Sequence, residues 1–362
     1  MVVRTIFDTG SEVFGPRFFS AASFGQRNTH KEIQRAINEA SDQDGGVVYL
    51  AAGSWAVSRR IILKEKVHLV LHGNARVEHQ KTSGVCLEAQ KNTSITGGKF
   101  YRDSVGSSYT GTLIQTAAGQ EVDRIDPIFI KTKLQVNGQT QGTGLKINVD
   151  ASSSDSFMEW SRFDVICQSL ENAVQIEVQG GDTNLAFCNG NVFKIHTTAC
   201  DNSLDTIGDI NDNPINENTF HITAQASSNA ERVAILRGVT QCDFFFRVFD
   251  WRAQATNDQP VYAPVSVSAE GNYRNQFWGL AFYDFLGQST VGDLRLGGSD
   301  NRIMANRYGG SPLLVDSSVA NTNDKYFPSA NAPRWKGMLV LDENDDNLKY
   351  SDGTSVKTIT AT

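Results

Sequence analysis

Ser161-Arg-Phe-Asp-Val165, Asn191-Val-Phe-Lys-Ile195, Asn218-Thr-Phe-His-Ile222, Cys242-Asp-Phe-Phe-Phe246, Asn275-Gln-Phe-Trp-Gly279 and Asn301-Arg-Ile-Met-Ala305 read as one five-residue text written six times. Its third position is Phe163, Phe193, Phe220, Phe244, Phe277 and Ile303, at successive spacings of 30, 27, 24, 33 and 26 residues. Such a period is too short for a propeller blade and lacks the helix of a leucine-rich or ankyrin unit. It suits one turn of a parallel β-helix: three short strands and three turns, with differences in length absorbed by the turns. Period-two alternation then sends Phe163 and Val165, Phe193 and Ile195, Phe220 and Ile222 inward. Coils stacked at ~4.8 Å set like on like, so the rings are predicted to form an internal ladder. Asn191, Asn218, Asn275 and Asn301 share the inward parity at the preceding turn, where stacked amides satisfy turn backbone groups. The same slot runs back to Ile95 and Leu69.

Toward the N-terminus the period changes once. Thr29 to Glu32 fits a capping box, and Ile33, Ala36, Ile37 and Ala40 follow as a narrow apolar stripe. Turn chemistry from Asp42 to Gly46 ends this helix, predicted over about 29–41. A β-helix has an open strand edge at its end, and an amphipathic helix ahead of the first coil covers it. Strand text follows at Val47–Leu50, Ser54–Val57, Ile61–Leu63 and Val67–Leu71.

Composition bounds the partners. The 362-residue chain is 40% hydrophobic and 20% charged, with a net charge of −7. That balance repels phosphate backbones and anionic lipid, so neither nucleic acid nor a membrane surface is expected as a partner. No apolar run approaches the roughly 18 residues of a membrane span. Asp8 and Glu12 interrupt the N-terminal stretch, which does not read as a secretory signal. Five cysteines without CxxC spacing argue against a disulfide framework and a zinc site, leaving buried inert thiols. The six histidines form no HExxH, and His68 and His72 have no carboxylate partner in the pattern. No metal or other cofactor is expected.

Phe24-Gly25, the helix text Lys31–Ile37, Gly45-Gly-Val-Val-Tyr-Leu-Ala-Ala-Gly53, Trp55-Ala-Val57, Ile61–Lys64 and Val67–Leu71 together resemble the N-terminal module of the pectate-lyase-like superfamily. The resemblance covers about residues 22–100. It departs at Gln26-Arg-Asn-Thr29, where Gly/Asp-rich text is common. That superfamily has a right-handed parallel β-helix fold and includes bacteriophage tailspikes. At the other end, Trp335–Asp342, Asn344–Asn347, Leu348–Tyr350 and Ser351–Thr354 resemble the short C-terminal meander of some phage tail proteins. As text it is strand, Asn/Asp turn, strand, Asp-Gly turn, strand, too small to hold a core alone.

The fold class expected is therefore all-β: a right-handed single-stranded parallel β-helix with an N-terminal capping helix and a small C-terminal β-meander. Its parts are an arm at 1–26, the β-helix at 27–305, a Gly/Pro-marked linker at 306–334 and the meander at 335–362. The resemblance implies a homotrimeric tailspike or tail-fibre protein of the virion tail, beside other phage tail proteins, that binds host-surface polysaccharide, with depolymerisation of that polysaccharide left open. Two further readings stay open: a free-standing polysaccharide lyase or glycoside hydrolase of pectate-lyase type, and a receptor-binding or structural spike without catalysis.

Glycan hydrolysis needs two carboxylates, ~5–5.5 Å apart for retention and ~6.5–9.5 Å for inversion. Carboxylates on neighbouring rungs meet either requirement. The acidic residues concentrate before Phe220, so Asp205, Asp209, Asp212 and Glu217 are the catalytic candidates. The competing reading is a solvated Asn/Asp loop. An EF-hand is excluded, because Pro214 stands at the glycine position and Phe220 at the bidentate glutamate. On the outward face, Asp164, Lys194, His221, Phe245 and Trp278 fall at one position on five successive coils, flanked by Arg162, His196, Asp243 and Arg247. Aromatic platforms among hydrogen-bonding charges suit sugar rings, and the same row equally suits a subunit contact.

Overall fold

In a computed structural model, the repeated text winds as a right-handed parallel β-helix with three faces, sheets A, B and C. The structure describes residues 17–25, 27–103, 108–138, 141–180, 184–208, 214–225, 232–249, 261–262, 274–283, 294–295, 302–308, 339–342, 347–351 and 356–358. Sheet A carries the five-residue text, in the strands Arg162–Gln168, Val192–Thr198, Thr219–Gln225, Asp243–Phe249 and Gln276–Tyr283, each parallel to the next. Sheet B stacks strands such as Thr143–Ala151, Asn172–Gly180 and Asn202–Ile207, and the short sheet C completes each coil.

The register is the one the phase predicts. Phe163, Phe193, Phe220, Phe244 and Phe277 pair in turn and are fully buried. Their rings stack at centroid distances of 4.9, 4.8, 4.9 and 5.0 Å, with planes within 18°. Below Phe163 the column continues as Ile130, Ile95 and Leu69.

The corner leading into sheet A explains the residue that opens the text. Trp160, Gly190, Glu217, Gln241 and Arg274 all sit there with φ of 54–63°, the left-handed region that reverses the chain within one residue. That conformation costs non-glycine residues on the order of 1–2 kcal/mol. The following side chain repays it with hydrogen bonds. Asn191 Oδ1 accepts from Ser161 N (2.8 Å), while its Nδ2 donates to Met158 O (2.8 Å) and Asn218 Oδ1 (3.0 Å). Asn218 Oδ1 accepts from Asn191 N, and Asn275 Oδ1 accepts from Cys242 N. Asn301 lies outside the described residues. All five cysteines are free and buried; in the corner slot Cys242 Sγ accepts from Asn218 N at 3.3 Å. Burial pushes its thiol up to about 12 and the Cys200 thiol likewise, so both stay protonated.

The helix His30–Asp42 begins with the predicted capping box, Glu32 Oε2 accepting from Thr29 N at 2.9 Å. Ile33, Ala36, Ile37 and Ala40 are fully buried against the first coil. Ahead of it, Phe18–Ser20, within the stretch read as an arm, pairs in parallel with Gly46–Leu50 and adds a strand to sheet A. Three residues carry too little pattern to be read as a strand. No helix among the described residues is long and apolar enough to cross a membrane. Near the C-terminus Leu339–Asp342, Asn347–Ser351 and Val356–Thr358 form an antiparallel three-stranded sheet.

Two early rungs of sheet A are irregular. Between Val67–His79 and Ser94–Asp103 the register jumps from Leu71↔Gly97 to Arg76↔Lys99, and against the next strand it shifts again, from Thr96↔Lys131 to Lys99↔Lys133, the extra residue lying at Gly97-Gly98. Gly98 (φ 51°) is required here: a Cβ would stand 2.5 Å from that of Leu71 and 3.0 Å from Ala75 O. Just inside the coil, His79 is buried and hydrogen-bonded to Tyr109 Oη through Nδ1 at 3.0 Å. Burial, then the charges of Arg102 and Lys81, lower its pKa to about 4, so it is a neutral core residue.

Candidate functional site

Register fixes the outward face once the Phe ladder is inside. Asp164, Lys194, His221, Phe245 and Trp278 are paired rung by rung on sheet A, the row read from the sequence. The Trp278 side chain lies outside the described residues; its backbone continues the row. Lys131 precedes Asp164, with Nζ 3.9 Å from Oδ2. Asp164 and Lys194 are half-buried and His221 is exposed. Phe245, 36% exposed, is among the few large apolar side chains facing solvent.

The rings of His221 and Phe245 stack with centroids 4.6 Å apart and planes 12° from parallel. Two rings thus make one flat apolar platform about two rungs long. Partial burial, then the positive charge of Lys194, lower the His221 pKa, which keeps the imidazole neutral near pH 7. A neutral imidazole offers one donor and one acceptor beside its flat face. Lys194 adds donors on one side, and Arg162, His196 and Arg247 stand exposed around the row, with Asp243 half-buried. Platform plus mixed donors and acceptors is what a sugar ring, apolar on its faces and polar at its rim, requires.

Of the predicted carboxylates, Asp205 and Glu217 fall among the described residues, on different parts of the coil. Asp205 lies on Asn202–Ile207 of sheet B, opposite Gln175 and Ile235, and is 7% exposed. Its Oδ1 accepts from Arg237 Nη2 at 2.6 Å, while Arg237 Nε donates to Thr206 O at 3.0 Å. The pair is partly buried, and removing either partner would leave the other charge poorly compensated. Glu217 is exposed at the left-handed corner before Asn218, at the junction of sheets C and A. Asp209 and Asp212 lie outside the described residues.

Sequence reading missed two arrangements. One is a groove of about 430 Å³ beside the corner of sheets B and C, lined by Glu65, Lys91, Gln120, Glu121, Ser154 and Asp155. Glu121 pairs with Phe157, whose ring stacks on Phe187 at 5.1 Å, so carboxylates and an aromatic pair lie side by side on sheet C. Its residues come from four coils and share no local pattern. The other is a column of cations on the bulged rungs of sheet A.

The family model described as rhamnogalacturonase A/epimerase, pectate lyase-like, matches residues 18–230, more than half of the chain. No curated protein matches the sequence. Among solved structures, the A-module of mannuronan C-5 epimerase AlgE4 from Azotobacter vinelandii aligns with a TM-score of 0.43 at 14% identity, over 84% of this chain and 99% of that one. ORF18 of Geobacillus virus E2 aligns with a TM-score of 0.39 at 12% identity, over 95% and 86%. Tailspike protein 3 of bacteriophage CBA120 gives 0.33 at 11%, over 95% and 69%.

Proposed function

Because the chain belongs to the rhamnogalacturonase A/epimerase family of pectate lyase-like proteins, we propose that the outward row of sheet A is a polysaccharide-binding surface and that the protein is a bacteriophage tailspike. In this reading it is a homotrimer on the virion tail, beside other tail proteins, and the polysaccharide is that of the host surface. The observation that carries the binding role is the stacked, solvent-facing pair His221–Phe245 within the in-register row Asp164–Lys194–His221–Phe245–Trp278. A three-sided helix lets one face bind ligand while another meets its symmetry mates. The tail assignment draws on the C-terminal text from Trp335 to Thr354, whose described strands form an antiparallel meander.

A second reading, cleavage of the bound chain, is favoured by the groove lined by Glu121 and Asp155, with Glu121 paired to Phe157 on the neighbouring strand. Glu217 is the other candidate, because it is exposed one corner before the strand of His221. Of the four carboxylates first singled out, Asp205 fits least, given its pair with Arg237.

One set of measurements tests these roles. Purified protein is expected to sediment as a trimer and to bind host-surface polysaccharide. The F245A and H221A variants should lose about tenfold or more in affinity, some 1.4 kcal/mol, with unchanged sedimentation. Unchanged binding in both would remove the row from the site, and a monomer at micromolar concentration would remove the trimer. If oligosaccharides are released, E217Q should stop release if the corner is catalytic, and E121Q or D155N if the groove is.

A further inference from the structure

The three outward faces of the β-helix differ in kind. Sheet B carries ion pairs, Arg60–Glu88, Lys146–Glu177 and Asp205–Arg237, and so presents a polar face to water. Sheet A carries the mixed row described above. Sheet C, whose strands are two to four residues long, is apolar along its middle. Phe157 and Phe187 alternate with the buried residues of Ser156–Glu159 and Ala186–Asn189 and so point outward. Their rings stack 5.1 Å apart with planes 7° from parallel. Pro214 continues the column one coil on, its carbonyl accepting from Cys188 N. Around this column stand Ile125, Trp160 and Leu185, which are 82%, 58% and 62% exposed. They are three of the six large apolar side chains that the described residues expose, so half of that exposure gathers on the narrowest face. A contiguous apolar strip of this kind marks a surface that another molecule covers.

The two edges of the strip carry opposite charge. On the sheet B side stand Glu121, exposed, and Asp155, half-buried, both lining the groove. On the sheet A side stand Arg124 and Arg162, both exposed. Arg124 shares a coil with Glu121, and Arg162 shares the next coil with Asp155. The Arg124 guanidinium lies 5.9 Å from the Trp160 ring, so cation and indole form one edge. Two acids on that side are already engaged. Asp123 Oδ1 accepts from Ile125 N and Asp126 N, and Asp126 lies 3.8 Å from Lys91. Glu159, half-buried, stands between the two edges. Trp160 also holds a φ of 54°, a conformation that a bulky side chain rarely takes and that an exposed indole does not repay within one chain.

We propose that sheet C is the face by which three copies of this chain pack in parallel around a common axis. Phe157 and Phe187 point to the axis, and the Arg124–Trp160 edge of each copy lies on the Glu121–Asp155 edge of the next. This rests on the homotrimer given above, to which it adds the face and the contacting edges. A contact between one edge and the opposite edge of the next copy is heterologous, and a rotation of one third of a turn closes it. Parallel copies set the opposite charges level, coil for coil. The groove of about 430 Å³ then lies at the seam between copies, where Arg124 of a neighbouring copy stands across from Glu121 and Asp155 and completes its wall.

Sedimentation of the full chain and its variants tests this. The native protein should run as a trimer at micromolar concentration, and I125D/W160D/L185D as a monomer with the native circular dichroism spectrum. All three side chains are more than half exposed in the single chain, and aspartate tolerates the left-handed φ at position 160. Should the triple variant lose its spectrum, L185D alone, outside the strained corner, carries the same expectation. R124E should weaken the trimer and R124E/E121R should restore it, because the charges are then exchanged and not lost. F245A and H221A, on another face, should stay trimeric. A trimer that survives I125D/W160D/L185D, or L185D in its place, would leave the homotrimer standing and remove sheet C as its face. A native monomer would remove the homotrimer and the face together, and a native dimer would overturn the three-fold arrangement. Failure of E121R to rescue R124E would remove the contact between edges.

Discussion

Replacing Phe220 by alanine is expected to lower stability by about 3–5 kcal/mol, read as a shift in the midpoint of urea unfolding. Phe220 is fully buried and has a ring on either side, Phe193 at 4.8 Å and Phe244 at 4.9 Å. Each stacked pair contributes about 0.5–1.5 kcal/mol beyond the area it buries, and the substitution removes two of them. Relaxation can recover little. The strands above and below are tied to this one along seven paired residues each, so the coils cannot close over the void. Phe163, with the Phe193 ring on one side and Ile130 on the other, should cost less. The control lies in the same text one rung on: Phe245, next to the buried Phe244, is 36% exposed and stacks on His221, so F245A should cost about 1 kcal/mol, well short of F220A. Equal shifts for F220A and F245A would mean that the inward and outward faces had been interchanged.

That contrast also explains what could be read before any coordinates. The five-residue text states its own register, because an apolar residue at every second position has one way to be buried. Inward Phe220 and outward His221 follow from a single choice. The outward row was legible for the same reason, being one step out of phase with the ladder. Where rungs are irregular, the same reasoning has no purchase. Three more residues separate Leu71 from Arg76 than separate their partners Gly97 and Lys99, so no constant offset places Arg76, Lys99 and Lys133 in a line. The ion pair of Asp205 was illegible on a different count. Its partner Arg237 stands 32 residues on, and only the sheet B register that sets Asp205 against Ile235 brings the two together. Composition showed where carboxylates were dense, which is not the same as where they are free.

Replacing Asn191 by leucine, a side chain of similar size, is expected to cost about 4 kcal/mol, because it strands buried backbone groups instead of opening a cavity. Ser161 N–H would lose its acceptor and Met158 C=O its donor, both at 2.8 Å from the Asn191 amide in a corner that excludes water. An unsatisfied buried group costs about 1–3 kcal/mol, and two are created at once. The Asn218 amide, 3.0 Å away, would lose a partner as well. The gain from a more apolar side chain offsets only part of this. The chain supplies its own comparison at Cys242, where a thiol fills the same slot, accepting from Asn218 N and donating to Thr240 O at 3.4 Å. N191C should therefore cost less than N191L, since a thiol can still both accept and donate, though weakly. The corner itself demands such a residue: Gly190 before it is left-handed, and so are Trp160 and Glu217 before Ser161 and Asn218, and while the corner carbonyls accept from the next strand, the N–H groups of Ser161, Asn191 and Cys242 donate to Asn side chains. Urea midpoints ordered native, then N191C, then N191L are the expected result. A leucine variant within about 1 kcal/mol of native would mean that the corner is held by the strands on either side and that the amide column is only a passenger.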